Sequence, residues 1–261
     1  MIEFEFVKPS TVADAVQALA KDGAQALSGG QTLTPTMKQR LAAPAVLVSL
    51  NGIAELRGVK AAGSVLTIGA ATTHATVARE AAKTYPALAA LAGGIGDPAV
   101  RNRGTIGGSL ANNDPAACYP SAVLASGATV VTNKRSIKAD DYFQGMFSTA
   151  LDEGEIITAV TFPIPAQAAY VKFNQPASRF ALTGVFVAKF ADGVRVAVTG
   201  ASNNGVFRWK EAEAALSRDF SAAAIAGLKA SSADLIADLH GSANYRANLI
   251  KVLTGRAVSA A

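Results

Sequence analysis

The sequence is poor in the residues that build metal and disulfide sites: one cysteine, Cys118, and two histidines, His74 and His240, in 261 residues. A single thiol closes no disulfide within the chain and cannot supply the ligands of an iron–sulfur cluster, and no His/Cys spacing suits zinc. Any redox chemistry must therefore come from an organic cofactor or a partner. Charged residues are also scarce, 16% against 50% hydrophobic, which excludes a disordered chain and favours a sizeable core. The net charge is +5, yet Lys and Arg never form a run interleaved with aromatics, so no nucleic-acid partner is expected. No uninterrupted apolar run reaches about 18 residues, so no membrane span is expected. The opening MIEFEFVKPS carries two glutamates where a secretory leader would be basic and then apolar. The expected compartment is the cytoplasm.

A chain of this length suits two or three compact units. Val12, Ala15, Val16, Leu19 and Ala20 recur at helical spacing, with Ser10 and Thr11 as caps and Gly23 as a stop. FEFV, QALS and AVLVSL flank that helix and a second one as strands, predicting a β-α-β-α-β unit over residues 1–56. From residue 57, RGVKAAGSVLTIGA predicts a hairpin, and TTHATVAREAAKTYPALAALAGG predicts helix on both sides of Pro86. SAVLASGA reads as helical, TVVTNKRSIKADDYF as extended and EIITAVTFP as a strand, giving a second unit over 57–164. The prolines of FPIPAQAA, 162–169, mark a linker to a third unit over 167–261. There YVKFNQ, GVFVAKF and GVRVAVTGA predict a three-stranded antiparallel meander, followed by helices around KEAEAALSR, AAAIAGLKA and YRANLIKVL.

Two glycine clusters carry the chemistry. In LSGGQTLTPTMKQRL, Gly29-Gly30 after a strand can turn successive N–H groups toward one point as an anion nest. Thr34 stands where an N-cap belongs and Pro35 at the first helical position, which adds a helix N-terminus to that nest. An ordinary tight turn is the alternative, and the Rossmann and P-loop patterns are absent. In RNRGTIGGSLANNDPAACYP, Gly107-Gly108 repeats the nest between the hydroxyls of Thr105 and Ser109, with Asn112, Asn113 and Asp114 as turn-tolerant polar groups. Two nests in separate units suit a dinucleotide held between them. Asp140-Asp141, adjacent in an extended segment, point to opposite faces and make no acid pair. Arg101 and Arg103 face phosphate, a partner or water.

SGGQTL followed by TIGGSLANNDPAA resembles the paired FAD-binding motifs of the medium subunit of molybdenum hydroxylases, the carbon monoxide dehydrogenase and xanthine dehydrogenase family. LVSLNGIAELRGV, LTIGAATTHATV, RNRGTIGG, DEGEIITAVTFP and YVKFNQPASRFALTGV resemble family segments in their expected order, over essentially the whole chain. The resemblance implies an α+β fold of the vanillyl-alcohol-oxidase (PCMH) type: two α/β subdomains clasping FAD, and a C-terminal domain of three strands plus helices. It implies that Ser28, Gly29, Gly30, Gln31, Thr32 and Leu33 hold the pyrophosphate. Thr105, Ile106, Gly107, Gly108 and Ser109 would meet the flavin end and phosphates, with Asn113 and Asp114 in the same loop. Ile156 or Ile157 would contact adenine through backbone groups, and Lys172 lies at the mouth. Where many members of the family carry a carboxylate that holds a cofactor hydroxyl, this chain has Cys118, a poor acceptor. The bland reading of Cys118 is a small packed side chain, and that of His74 a structural role at a helix start.

As function, the resemblance implies an FAD-carrying electron-transfer subunit of an oxidoreductase. A large partner subunit would bear the molybdopterin cofactor and a small one two [2Fe-2S] clusters, assembled as a dimer of heterotrimers, with the final acceptor open. No side chain of this chain need act as acid, base or nucleophile. The alternatives are a free-standing flavin oxidase of the same fold and a non-catalytic nucleotide-binding assembly protein.

Overall fold

A computed structural model describes all 261 residues. The chain begins with β1 (Glu5–Val7), α1 (Val12–Leu19), β2 (Ala24–Leu27), α2 (Leu33–Lys38) and β3 (Val46–Ser49), and the strands form a parallel sheet in the order β1-β3-β2. Thr11 caps α1, its hydroxyl accepting from Asp14 N at 3.1 Å. Ala15 and Ala18 seal the buried face of α1 against Val46, Val48 and Leu50, and Gly23 turns the chain at φ +64°. α2 departs from expectation. It starts at Leu33, two residues before Pro35, and its cap is Thr32, whose side chain makes no capping bond. Pro35 still falls in the first turn, where its missing N–H has no partner to lose.

A second sheet, in the order β4-β5-β10-β6-β7, is antiparallel throughout. It is built from β4 (Val59–Ala62), β5 (Val65–Gly69), β6 (Thr129–Thr132), β7 (Ser136–Lys138) and β10 (Ile157–Pro163). Between β5 and β6 run five helices: α3 (His74–Glu80), α4 (Pro86–Gly93), α5 (Pro98–Arg103), α6 (Ile106–Asn112) and α7 (Tyr119–Ala125). Pro86 opens α4 at its first position, as proline does where no N–H partner exists. The segment expected to be wholly extended is interrupted by α8 (Ala139–Tyr142), then by a small hairpin of β8 (Phe143–Gly145) and β9 (Ser148–Thr149). Asp140 sits in α8 and pairs with Arg195 at 2.8 Å and Arg208 at 3.2 Å.

The expected linker at 162–169 is not one. Phe162 is fully buried and pairs with Leu66, and only three residues separate the end of β10 from the start of β11 (Gln167–Asn174). Pro163 closes its strand at the end, where a missing ladder donor is tolerated. β11, β12 (Ala181–Phe190) and β13 (Gly193–Thr199) form the antiparallel meander, and a two-residue β14 (Phe207–Arg208) adds a fourth strand. α9 (Lys210–Arg218) packs on β13, and α10 (Ala243–Ala260) on β11 and β12. AAAIAGLKA gives only a 3₁₀ turn over Ala222–Ile225, because Gly227 follows after a single apolar anchor, Ile225. The other face of β12 and β13 contributes Phe186, Ala188 and Ala197 to the core of the second sheet. Thr199 Oγ1 lies 2.9 Å from Pro115 O and 2.7 Å from Ala117 O, clamping that stretch. No helix is long and apolar enough to cross a membrane.

Candidate functional site

A cavity of about 500 Å³ opens where the three sheets meet, within the range of small-molecule sites. The glycine clusters face each other across it. Ser28 Oγ and Thr105 Oγ1, 77 positions apart in sequence, share a hydrogen bond of 2.9 Å. Asn51 Nδ2 fixes the first turn by donating to Ser28 O at 2.8 Å. The approach is close enough to require glycine: a Cβ on Gly29 would stand 2.3 Å from Arg103 O and 2.6 Å from Gly104 Cα. Gly30, at φ +70°, then bends the chain into α2.

The two clusters differ in what they offer a ligand. From Gly29 to Leu33, no backbone or side-chain acceptor of the chain meets the N–H groups, which leaves five consecutive donors at the cavity wall. The second cluster is no nest. Gly107 and Gly108 lie in the first turn of α6, capped by Thr105, and their N–H groups are used internally. Ile106 N donates to Thr72 O, Gly107 N to Ala70 O, Gly108 N to Thr105 Oγ1 and Ser109 N to Thr105 O. That side of the cavity offers the Ser109 hydroxyl instead, while Thr105 Oγ1 is shared between Gly108 N and Ser28 Oγ of the facing cluster.

Ser28, Gly29, Gly30, Gln31, Thr32 and Leu33 form one wall and Thr105, Gly107, Gly108 and Ser109 a second, and Asp114, Cys118, Ile157 and Lys172 also line the cavity. Two of the expected residues are elsewhere. Ile106 is buried in the core of the second sheet. Asn113, in the left-handed region at φ +43°, turns its amide away to donate to Gly145 O and Ser148 O, both at 2.8 Å. Of the two isoleucines, Ile156 has its backbone committed: Asn133 Oδ1 accepts from its N–H and its carbonyl accepts from Asn133 N. That leaves Ile157. Arg101 donates to Ile95 O and Gly96 O.

Cys118 is buried, with its Sγ 3.6 Å from Lys172 Nζ. Lys172 also donates to Gly94 O and Arg179 O, each at 2.8 Å, and so ties α4 to the β11–β12 hairpin at the mouth. His74, read from sequence as structural, lines the cavity as well, 5% exposed and with its Nδ1 sealed off without a partner. Burial, then the nearby Arg101 guanidinium, lower its pKa to about 4, so the imidazole is neutral at physiological pH. Glu155 also faces the cavity. Burial pushes its carboxyl up, but bonds from Arg135, Asp152 N and Thr132 outweigh burial and hold it at about 2. Ser178, Arg179 and Phe180 of the β11–β12 hairpin close the rim. No short motif marks them; only the fold brings them there.

Comparison with known proteins places this geometry. The family model for the FAD binding domain in molybdopterin dehydrogenase matches residues 2–165. The nicotine 6-hydroxylase medium subunit of Paenarthrobacter nicotinovorans is 36% identical, over 97% of this chain and 95% of its own length. The carbon monoxide dehydrogenase medium chain of Hydrogenophaga pseudoflava is 32% identical, over 99% and 96%. Among solved structures, quinoline 2-oxidoreductase from Pseudomonas putida 86 superposes with a TM-score of 0.88 at 29% identity, covering 100% of this chain and 97% of that one. A carbon monoxide dehydrogenase from Hydrogenophaga pseudoflava, lacking the Mo-pyranopterin moiety of its cofactor, superposes at 0.86 with 33% identity, covering 100% and 98%.

Proposed function

The chain belongs to the FAD-binding medium subunits of the molybdenum hydroxylase family, and we propose that it is the electron-transfer flavoprotein of such an oxidoreductase. In this reading it accepts electrons from the [2Fe-2S] clusters of a small subunit and passes them to an external acceptor. A large subunit with the molybdopterin cofactor oxidises the substrate, and the whole is a dimer of heterotrimers. We take the compartment to be the cytoplasm, in keeping with one unpaired cysteine.

The observation that carries the reading is the Ser28–Thr105 bond beside five unspent N–H donors. A pyrophosphate carries charge and many acceptors, which is what converging backbone N–H groups satisfy. Gly29, Gly30, Gln31, Thr32 and Leu33 would hold it through those donors, with Ser28, Thr105 and Ser109 adding hydroxyls. Gly108 keeps a side chain out of its way, and Gly107 lets α6 pack closely on Ala70. Adenine would lie toward Ile157, and Asp114, Cys118 and Lys172 would bound the opposite end. Bound FAD supplies one- and two-electron chemistry that no side chain of this chain provides. The chain's own part is to bind it, orient it and exclude water. His74 serves that part as a neutral wall group, adding no charge to the cavity.

The test is the absorption spectrum of the purified chain, alone and co-expressed with the other two subunits, with flavin released by denaturation counted against protein. One flavin per chain, recovered as FAD, is expected. A colourless chain that takes up no added FAD overturns the reading.

A further inference from the structure

One polar side chain of the cofactor cavity is left without any partner by the fold itself. His74 opens α3 and lines the cavity, yet it is only 5% exposed. Its backbone N–H donates to Gly104 O at 2.9 Å, which pins it against the segment that enters α6. The imidazole packs on the Tyr119 ring, with centroids 5.3 Å apart and planes at 50°. Neither ring satisfies the other: His74 Nδ1 and the Tyr119 hydroxyl are both sealed off with no hydrogen-bond partner. A leucine would occupy this place without burying an unpaired polar atom, which costs stability wherever it occurs. Packing alone therefore does not account for a histidine here.

The same geometry fixes what the ring can offer. A proton on Nδ1 would be a buried donor with nothing to accept it, and orphaned N–H groups are rarer in folded proteins than orphaned acceptors. A proton on Nε2 leaves Nδ1 as a bare lone pair instead. The imidazolium would strand the same Nδ1–H, in keeping with the pKa of about 4 set by burial and then by Arg101. Nε2, which makes no bond to the chain and is not sealed, is thus a neutral donor. Gly104 keeps it uncovered. A Cβ there would stand 2.5 Å from Nε2 and 2.9 Å from Cδ2, so the missing side chain leaves that edge of the ring open beside the cavity that Gly104 also lines. Gly104 in turn lies against the first cluster, since a Cβ on Gly29 would stand 2.6 Å from Gly104 Cα. The imidazole is therefore one residue behind the five free N–H donors. The neighbouring cation is turned elsewhere, Arg101 Nη1 donating to Ile95 O and Gly96 O.

We propose that His74 is a cofactor-binding residue, its Nε2–H donating to an oxygen of the ribityl–pyrophosphate chain of FAD. The inference rests on the cavity holding FAD. The test is nitrogen NMR of the chain carrying isotope-labelled histidine, with His240→Gln to remove the one other imidazole. Without FAD the His74 signals should report the neutral tautomer protonated on Nε2. Added FAD should shift the Nε2–H signal and slow its exchange with water. By fluorescence titration, His74→Leu should weaken FAD by about tenfold, while its flavin-free melting temperature stays level or rises, because an unpaired buried atom has gone. His74→Gln, whose amide carries a neutral N–H donor to the place of Nε2, should bind FAD within about threefold of the unsubstituted chain. A side chain with a purely structural role predicts the opposite pattern, a lower melt for His74→Leu with FAD affinity unchanged. A proton on Nδ1, an Nε2–H signal that bound FAD does not move, or FAD held as tightly by His74→Leu overturns the inference and leaves the proposed function standing. An unsubstituted chain that takes up no FAD defeats the proposed function, and this inference with it.

Discussion

Gly29→Ala is the sharpest perturbation of the split site. The new Cβ would meet only backbone, 2.3 Å from Arg103 O, 2.6 Å from Gly104 Cα and 2.8 Å from Arg103 C. No rotamer change relieves that. To reach ordinary contact the Ser28–Gly30 turn and the Arg103–Gly104 segment must part by about 1 Å. The 2.9 Å bond between Ser28 and Thr105 then fails, and overpacking of this kind costs about 1–3 kcal/mol. For the ligand the loss is larger in proportion. A donor moved by about 1 Å from a charged pyrophosphate forfeits most of a bond worth about 1.5–3 kcal/mol, so FAD should bind about 10- to 100-fold more weakly. The assay is thermal melting with and without FAD. For the unsubstituted chain, FAD at about 100 times its Kd adds about 2.7 kcal/mol, or about 5–10 °C for a chain of this size. At the same FAD concentration that increment should fall to about 0.4–1.4 kcal/mol in Gly29→Ala, while the flavin-free melt falls by about 2–12 °C. Gly227→Ala, whose Cβ meets nothing within 4 Å, is the control and should keep the increment. An undiminished FAD-dependent increment in Gly29→Ala would refute the reasoning.

The adjacent glycines of α6 should behave differently from each other. A Cβ on Gly107 would stand 2.6 Å from Ala70 Cβ in the core, so Gly107→Ala should destabilise the flavin-free chain by about 1–3 kcal/mol in urea unfolding. Gly108→Val, whose Cβ meets Thr105 Oγ1 at 3.0 Å and otherwise faces Ser28, should abolish FAD retention without unfolding the chain, read from flavin content and circular dichroism; stoichiometric flavin would count against the site. His74 has a folded pKa of about 4 against 6.5 unfolded, so the unfolded chain binds the extra proton. Stability is then fully present above pH 6.5 and falls by about 3 kcal/mol as pH drops to 4. His74→Gln should flatten that slope in urea titrations, and an unchanged slope would mean the imidazole is not buried as described. Cys118→Asp gives Lys172 a carboxylate partner in place of a thiol at 3.6 Å and offers a cofactor hydroxyl a better acceptor. FAD should tighten about 5- to 10-fold by fluorescence titration, with Cys118→Ser showing no such gain.

Much of the fold was legible because periodicity and punctuation agreed. The first helix, its Thr11 cap and the Gly23 stop were all readable, as was the antiparallel meander of the third unit. The errors share a physical cause, local composition overridden by tertiary packing. FPIP reads as a linker by its prolines, yet Phe162 fills the core and the ladder to β5 runs through to Pro163. TIGG reads as a loop because two glycines disfavour helix by about 1 kcal/mol each. It is helical because Thr105 caps it, Ile106 and Leu110 are buried one turn apart, and two of its N–H groups dock on Ala70 O and Thr72 O. Asn113 could be named as a turn residue, but not the direction of its amide, which the β8–β9 hairpin decides.

The candidate site was legible as two motifs and illegible as a mechanism of binding, and glycine explains both. The pattern SGGQTL…TIGG is visible because glycine is rare enough in pairs to stand out, and it invites the same reading twice. The structure separates the two jobs glycine can do. Gly30, with a positive φ, shapes a turn whose N–H groups stay unspent. Gly29, Gly104 and Gly107 instead let pieces of chain touch: against Arg103 O, the His74 ring and Ala70. Those contacts bring Ser28 to Thr105 and the His74 ring to the cavity wall. One cluster therefore supplies donors and the other supplies closeness and hydroxyls, and neither makes a dinucleotide site alone. This asymmetry predicts which substitutions act through the ligand and which through the fold, a distinction that two identical nests would not make.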